Sequence, residues 1–238
     1  MPYENITLYA KWTPITYKVK FHANSGTGTM SDQTLTYDKE TALSKNEFTK
    51  AGYSFAGWME SATGNVVYSD SEKVLNLKEE QDEIVELYAK WTAKEDTAYV
   101  VEHYKMKLDG TYPSNPNEME KLTGETDTNV TPSVKTYNGF TSPNVETKNI
   151  EGDGTTVIKY YYVRNQYTVT FDSDGGSSVD SYTNYYQGNI EKPSNPTKTG
   201  YKFDKWYTDE ELTVEFDFES VMPYENITLY AKWTPITY

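Results

Sequence analysis

Every residue of the opening stretch Met1–Tyr17, MPYENITLYAKWTPITY, recurs in the same order at Met222–Tyr238. A looser version, Glu86-Leu87-Tyr88-Ala89-Lys90-Trp91-Thr92, lies between them. An identity of that length does not arise by chance. Repetition also constrains a fold strongly, because each repeat must be one supersecondary unit. The stretch reads as a strand, with Leu87, Ala89 and Trp91 on one face and Tyr88 and Lys90 on the other. The same spacing turns Leu229, Ala231 and Trp233 inward in the copy Asn226–Trp233. The chain reads as a duplicated array cut in register, starting at the tail of one unit and stopping at the tail of the next. Residues 1–14 are then expected to be an orphan tail strand of a preceding repeat, with an unpaired edge over Asn5–Trp12. Being identical to the genuine strand, residues 5–12 are expected to support strand-swapped self-association, an open head-to-tail exchange between chains.

The rest of the chain follows one plan. Tyr17–Phe21 alternates with period two, as a half-buried strand does. A turn at Asn24–Gly28 leads to a second strand, Gln33–Tyr37. Thr41–Lys50 suits a short helix. Gly52-Tyr53-Ser54-Phe55-Ala56-Gly57-Trp58 sets aromatics behind a glycine, Val66–Tyr68 follows a turn, and the charged stretch Ser71–Glu83 suits partial helix. Tyr167–Thr234 repeats these parts, with the turn Asp172–Gly176, a return strand Ser181–Tyr186, and Gly200-Tyr201-Lys202-Phe203-Asp204-Lys205-Trp206 at identical spacing. Phe216–Met222 suits a helical turn, its Asp217 and Glu219 matching a helix N-terminus. The middle, Ala98–Arg164, diverges but keeps the order: a strand at Tyr99–Tyr104, a second glycine–aromatic pair Gly139-Phe140, a hairpin signal Asp153-Gly154 and a closing strand Thr156–Val163. The expected boundaries are 1–14, 15–93, 94–164 and 165–238. The connectors are not Gly/Ser-rich and belong to the stiff regime.

Motifs then point to a family. Tyr167–Phe171 (YTVTF), the Asp174-Gly175-Gly176 turn, Pro196–Thr208 (PTKTGYKFDKWYT) and Ile227–Thr234 (ITLYAKWT) resemble the Listeria–Bacteroides repeat of the internalin B-repeat type. Phe48–Trp58 (FTKAGYSFAGW) and Glu86–Thr92 carry the same likeness in the first module, whose Gly64–Glu83 segment is longer and more acidic. The middle module is similar to MucBP-like repeats through YVVEHY at Tyr99–Tyr104, DGTY at Asp109–Tyr112, KTYNGF at Lys135–Phe140 and VIKYYYVRNQY at Val157–Tyr167. The resemblance implies a mainly β or α+β fold of three small β-grasp-like modules in an elongated tandem array. It also implies an extracellular place on a bacterial cell surface or cell wall.

Composition narrows the chemistry. The chain carries 36 acidic against 22 basic residues, a net charge of −14, so a nucleic-acid partner, which needs clustered cations to neutralise phosphates, is not expected. No run approaches the ~20 apolar residues of a bilayer span, so membrane insertion is not expected. With no cysteine there are no disulfides, thiolate metal sites or cysteine nucleophiles. The two histidines, His22 and His103, lie in predicted strands without a glycine-framed serine or a partner histidine. Asp172-x-Asp174-Gly175 resembles the start of a calcium loop but lacks the later ligands. No enzyme activity, cofactor or metal is expected. Aromatics make up 15% of the chain, enough to build small cores from rings. Tyr53, Phe55, Trp58, Trp91, Tyr201, Phe203, Trp206, Leu229 and Trp233 are the expected core, and the outward Tyr88 and Tyr161 a candidate ligand surface. The function expected is a non-catalytic stalk that projects other domains. The alternative is an adhesin whose middle domain binds host mucin or another glycoprotein.

Overall fold

The computed structural model describes residues 5–237, and among them every regular element is a strand. The chain divides into two compact units. One comprises Met1–Tyr99, Thr123–Val130 and Asn149–Thr156; the other comprises Val100–Leu122, Thr131–Lys148 and Val157–Tyr238. The sequence boundaries at 93/94 and 164/165 fall between strands, and the middle segment contributes to both units.

The first unit is built on β1 (Thr16–His22), β2 (Gln33–Thr36), β3 (Thr41–Ala42), β4 (Tyr53–Met59), β5 (Lys73–Val74) and β6 (Ile84–Ala93). Four of them form a sheet in the order β2-β1-β6-β4. The first and last strands sit together at its centre and run parallel, with Val19 opposite Val85 and Phe21 opposite Leu87. They take the centre because alternate residues on each are apolar. Tyr17, Val19, Phe21, Val85, Leu87 and Ala89 all point into one core. The flanking strands β2 and β4 pair antiparallel.

The helices expected at Thr41–Lys50 and Ser71–Glu83 do not form. These segments carry single apolar plugs, Leu43, Phe48 and Val74, that drop into the core from extended chain. A helix needs an apolar stripe that repays its costly nucleus. Instead β3 and β5 pair into a two-stranded sheet, Thr41 opposite Val74, and residues in the left-handed region at Asn76 and Asp82 turn the acidic stretch. Val66–Tyr68 makes an isolated bridge to Trp58 rather than a strand.

The middle strands are β7 (Thr97–Lys105), β8 (Glu118–Gly124), β9 (Asn129–Val130), β10 (Phe140–Thr141), β11 (Lys148–Asn149) and β12 (Val157–Arg164). The sheet order β10-β12-β7-β8 again pairs first and last strands in parallel, from Val157↔Val100 to Tyr162↔Lys105. Asp153-Gly154 makes a turn, Gly154 N–H donating to the Glu151 carbonyl at 3.0 Å. It is not the hairpin expected: β11 pairs with β9. The turn is closed by side chains, Asp153 accepting from Thr155 and the Thr156 hydroxyl accepting from Glu151 N–H, so the next strand leaves toward β7 instead.

The last strands, β13 (Gln166–Asp172), β14 (Tyr182–Tyr185), β15 (Tyr201–Tyr207) and β16 (Ile227–Pro235), give the order β14-β13-β16-β15, with β13 and β16 parallel. The helical turn expected at Phe216–Met222 is an Asx turn on Asp217, which accepts from Glu219 N–H at 2.9 Å, and Met222 plugs the core. By chain position, all three sheets share one order: second, first, last, third strand.

In β4 and β15 the aromatics Phe-x-x-Trp are three apart, which in a regular strand puts them on opposite faces. A bulge lies between them in both, at Phe55/Gly57 and Phe203/Trp206, and shifts the phase by one. Phe55 and Trp58 therefore meet at 4.9 Å between ring centroids, and Phe203 and Trp206 at 5.4 Å.

The residue after each of the first two closing strands is clasped on both sides. Lys94 N–H donates to the Gly52 carbonyl and its own carbonyl accepts from Thr126, both at 2.9 Å. Asn165 N–H donates to the Gly139 carbonyl and its carbonyl accepts from Tyr186, both at 2.9 Å. Each glycine has a positive φ and is covered, Gly52 by Gly152 and Thr126, and Gly139 by the Tyr186 ring.

Candidate functional site

The residues singled out by sequence fall into three settings. Trp58, Trp206 and Leu229 are fully buried. Phe55, Trp91, Phe203 and Trp233 are half-buried against the same cores. The two closing tryptophans have a second task. Trp91 Nε1–H donates to the Ala23 carbonyl and Trp233 Nε1–H to the Ser173 carbonyl, each at 2.9 Å. Each indole lies across the first hairpin's turn, over Gly26 and Gly176 respectively. A Cβ on Gly26 would stand 2.7 Å from the Trp91 ring. Spacing alone did not single out these two glycines, although both sit at the same offset from the first strand.

Tyr53 and Tyr201 are not core. Tyr53 is half-buried and donates from its hydroxyl to Asp127, which holds the phenol pKa above its ordinary value. Tyr201 is 41% exposed. Both lie upstream of the bulge, where the ring faces a lysine instead: Lys50 over Tyr53 at 3.8 Å and Lys198 over Tyr201 at 5.0 Å. Of the candidate ligand surface, Tyr88 is half-buried and stacked on His22 at 4.5 Å. Tyr161 is 42% exposed, stacked on Tyr104 at 4.9 Å with Tyr112 edge-on at 5.0 Å. Tyr88 and Tyr161 belong to different units.

The histidines are held in polar contacts. His22 pairs with Glu86. His103 is buried, with Nε2 2.7 Å from Glu120 Oε1 and Nδ1 2.8 Å from the Tyr162 hydroxyl. The chain of contacts continues through Lys135, which bridges Glu120 and Glu118, to the Tyr137 hydroxyl, 2.7 Å from Glu118. Lys135 and then Tyr137 hold the Glu118 carboxyl down at about 2, while burial and then Glu118 push the Tyr137 phenol up. His103 also holds Glu120 below its ordinary value. Among the described residues no group of three or more His, Asp or Glu side chains is placed to hold a metal ion.

One groove of about 710 Å³ lies in the second unit, lined by Lys105, Lys107, Asn117, Tyr137, Phe140 and Arg164 among others, with no carboxylate in its wall. Arg164 is fixed by hydrogen bonds from Nε to the Met106 carbonyl and from Nη1 to the Tyr186 carbonyl and Gln187, and by the Phe140 ring 4.7 Å away. Lys105 rides on Tyr137 at 3.8 Å. Among the described residues, none of these three cations has a carboxylate within ion-pair distance. The wall of this groove is therefore positively charged although the chain as a whole is acidic.

The sequence profile of the Listeria-Bacteroides repeat domain matches residues 17–90 and 167–232, more than half of the chain. The chain belongs to the Listeria-Bacteroides repeat family. Its two matched repeats are the sheets built on β1–β6 and β13–β16. Two proteins of Evansella cellulosilytica, both named as membrane proteins, are 29% and 30% identical over 95% and 96% of this chain. The match takes in only 26% and 33% of their own lengths, so this chain corresponds to a quarter to a third of each. Internalin H of Listeria monocytogenes is 45% identical over 71 residues, 29% of this chain and 13% of that protein. Among the described residues no helix is long and apolar enough to cross a membrane.

Proposed function

We propose that this chain is a non-catalytic spacer segment of a bacterial cell-surface protein, secreted and attached to the cell wall, that projects other domains. Repetition carries this reading. One sheet order recurs three times, and linker residues are hydrogen-bonded on both sides, which suits a part whose job is length. Membership of the Listeria-Bacteroides repeat family and the likeness to internalin H support the surface location. The experiment is a replacement in the parent protein. An unrelated β-repeat array of equal length restores the reach of the distal domain if the segment is a spacer. If only the native sequence restores it, the spacer reading fails.

The groove at Arg164 favours a second reading, an adhesin that binds host mucin or another glycoprotein through the MucBP-like middle module. Its free cations suit acidic sugars and its amides suit hydroxyls. Binding of the full chain to mucins, lost in Lys107→Glu, supports this reading; silence across mucins and host glycoproteins rejects it. The tail at residues 5–12 adds a self-partner. Among the described residues Ile6, Leu8, Tyr9 and Trp12 are exposed and pair with no strand, and residues 6–12 are identical to Ile227–Trp233 of β16, whose place in another copy they would take.

A further inference from the structure

The two ends of the chain carry the halves of a third clasp. Beyond β16, Ile236 N–H donates to the Gly200 carbonyl at 2.9 Å, as Lys94 does to Gly52 and Asn165 to Gly139. Before β1, the Ile15 carbonyl accepts from Tyr37 N–H at 2.9 Å, as Asn165 accepts from Tyr186. Ile15 and Ile236 are the same residue of the duplicated stretch. Tyr37 directly follows β2 as Tyr186 directly follows β14. Superposing the duplicate joins both halves on one isoleucine. We infer that the Gly200–Tyr201 face beside β15 is a docking surface for the Tyr37 edge of another copy of this repeat, closed through one shared linker isoleucine.

Three further observations agree. Gly200 has φ +82, and among the described residues nothing lies within 4 Å of where a Cβ would stand, whereas Gly52 and Gly139 at the same position are covered. The Tyr186 ring over Gly139 shows what fills such a socket, and Tyr37 is the same residue type at the same offset. Tyr201, next to the open glycine, is exposed, whereas Tyr53 and Phe140, next to the covered ones, are half-buried. Charge is also complementary: Lys202 is exposed beside Gly200, and Asp38 and Glu79 flank Tyr37 in a groove of about 300 Å³. The inference goes beyond the spacer reading and holds whether or not the array carries another domain.

The test is a tandem chain, residues 1–238 continued by residues 18–238 of a second copy, which needs no added linker because the duplicate supplies it. The absence of cysteine permits clean spin labelling. One label pair, Asp180→Cys in the first copy and Thr63→Cys in the second, spans the new junction. The pair Leu108→Cys and Asp180→Cys within one copy spans the Gly139 clasp and is the reference. Docking gives one distance distribution as narrow as the reference. Gly200→Asn in the first copy, whose residue type tolerates positive φ, fills the socket. It should broaden the tandem distribution several-fold while leaving the reference distance unchanged. A broad distribution in the unsubstituted tandem overturns the inference, as does a narrow one that Gly200→Asn leaves unaltered.

Discussion

Trp91 and Trp233 close their sheets by reaching back over a turn, and the glycines beneath them leave the room. Gly176→Ala puts a methyl into the Trp233 indole. Overpacking of this kind costs about 1–3 kcal/mol, and the variant should melt at lower temperature with the Ser173 carbonyl bond weakened, read from tryptophan fluorescence. Trp206 is the larger loss: truncation of a core tryptophan to alanine costs about 3–5 kcal/mol. Trp206→Ala should abolish cooperative melting of the last sheet, and a normal melt with loss of a bound glycan would instead make the ring a sugar platform. Glu118 adds a pH dependence. Its carboxyl sits at about 2 in the fold against an ordinary 4.5, so its stabilising effect is complete above pH 4.5 and fades as pH falls toward 2. Glu118→Gln should flatten that acid limb of the melting curve. At this scale the sequence was legible where burial follows period two, as at Leu87, Ala89, Leu229 and Ala231. It misled at Tyr201, because a bulge between that tyrosine and the tryptophan cannot be read from spacing, and nothing local announces a lysine above the ring.

The bulge is the element on which each outer sheet turns. Without it Phe203 and Trp206 cannot share a core, so deletion of Asp204 should rotate one of them to solvent and unfold the last sheet. Measured by circular dichroism, a native melt in that variant would mean the bulge is dispensable. The central strands were legible as strands, since Tyr17–Phe21 and Glu86–Trp91 alternate cleanly. The segments expected as helices were not, because Thr41–Lys50 and Ser71–Glu83 are polar with scattered apolar residues. Such a pattern fits extended chain carrying plugs as well as it fits a weak helix, and only the opposing sheet decides. Asp153-Gly154 was legible as a turn but not as to which strand it served. The groove at Arg164 was illegible altogether, since its cations come from β7, the chain beyond it and the end of β12.

Across the whole molecule, repetition in sequence became repetition in strand order, including the middle sheet, where the letters diverge most. The second, first, last, third arrangement has a mechanical meaning. In each sheet the entering and leaving strands are neighbours that run parallel, so tension drawn along the chain slides one past the other. The hydrogen bonds between them, from Lys18↔Ile84 to His22↔Tyr88 in the first sheet, are then loaded side by side and must break together, unlike the serial unzipping of a hairpin pulled from its open end. Single-molecule stretching should show high, well-separated rupture peaks, and Lys18→Pro, which removes the N–H that donates to the Glu83 carbonyl at the head of the central pair, should lower one of them. A chain of this kind resists pulling by geometry, with no covalent cross-link required.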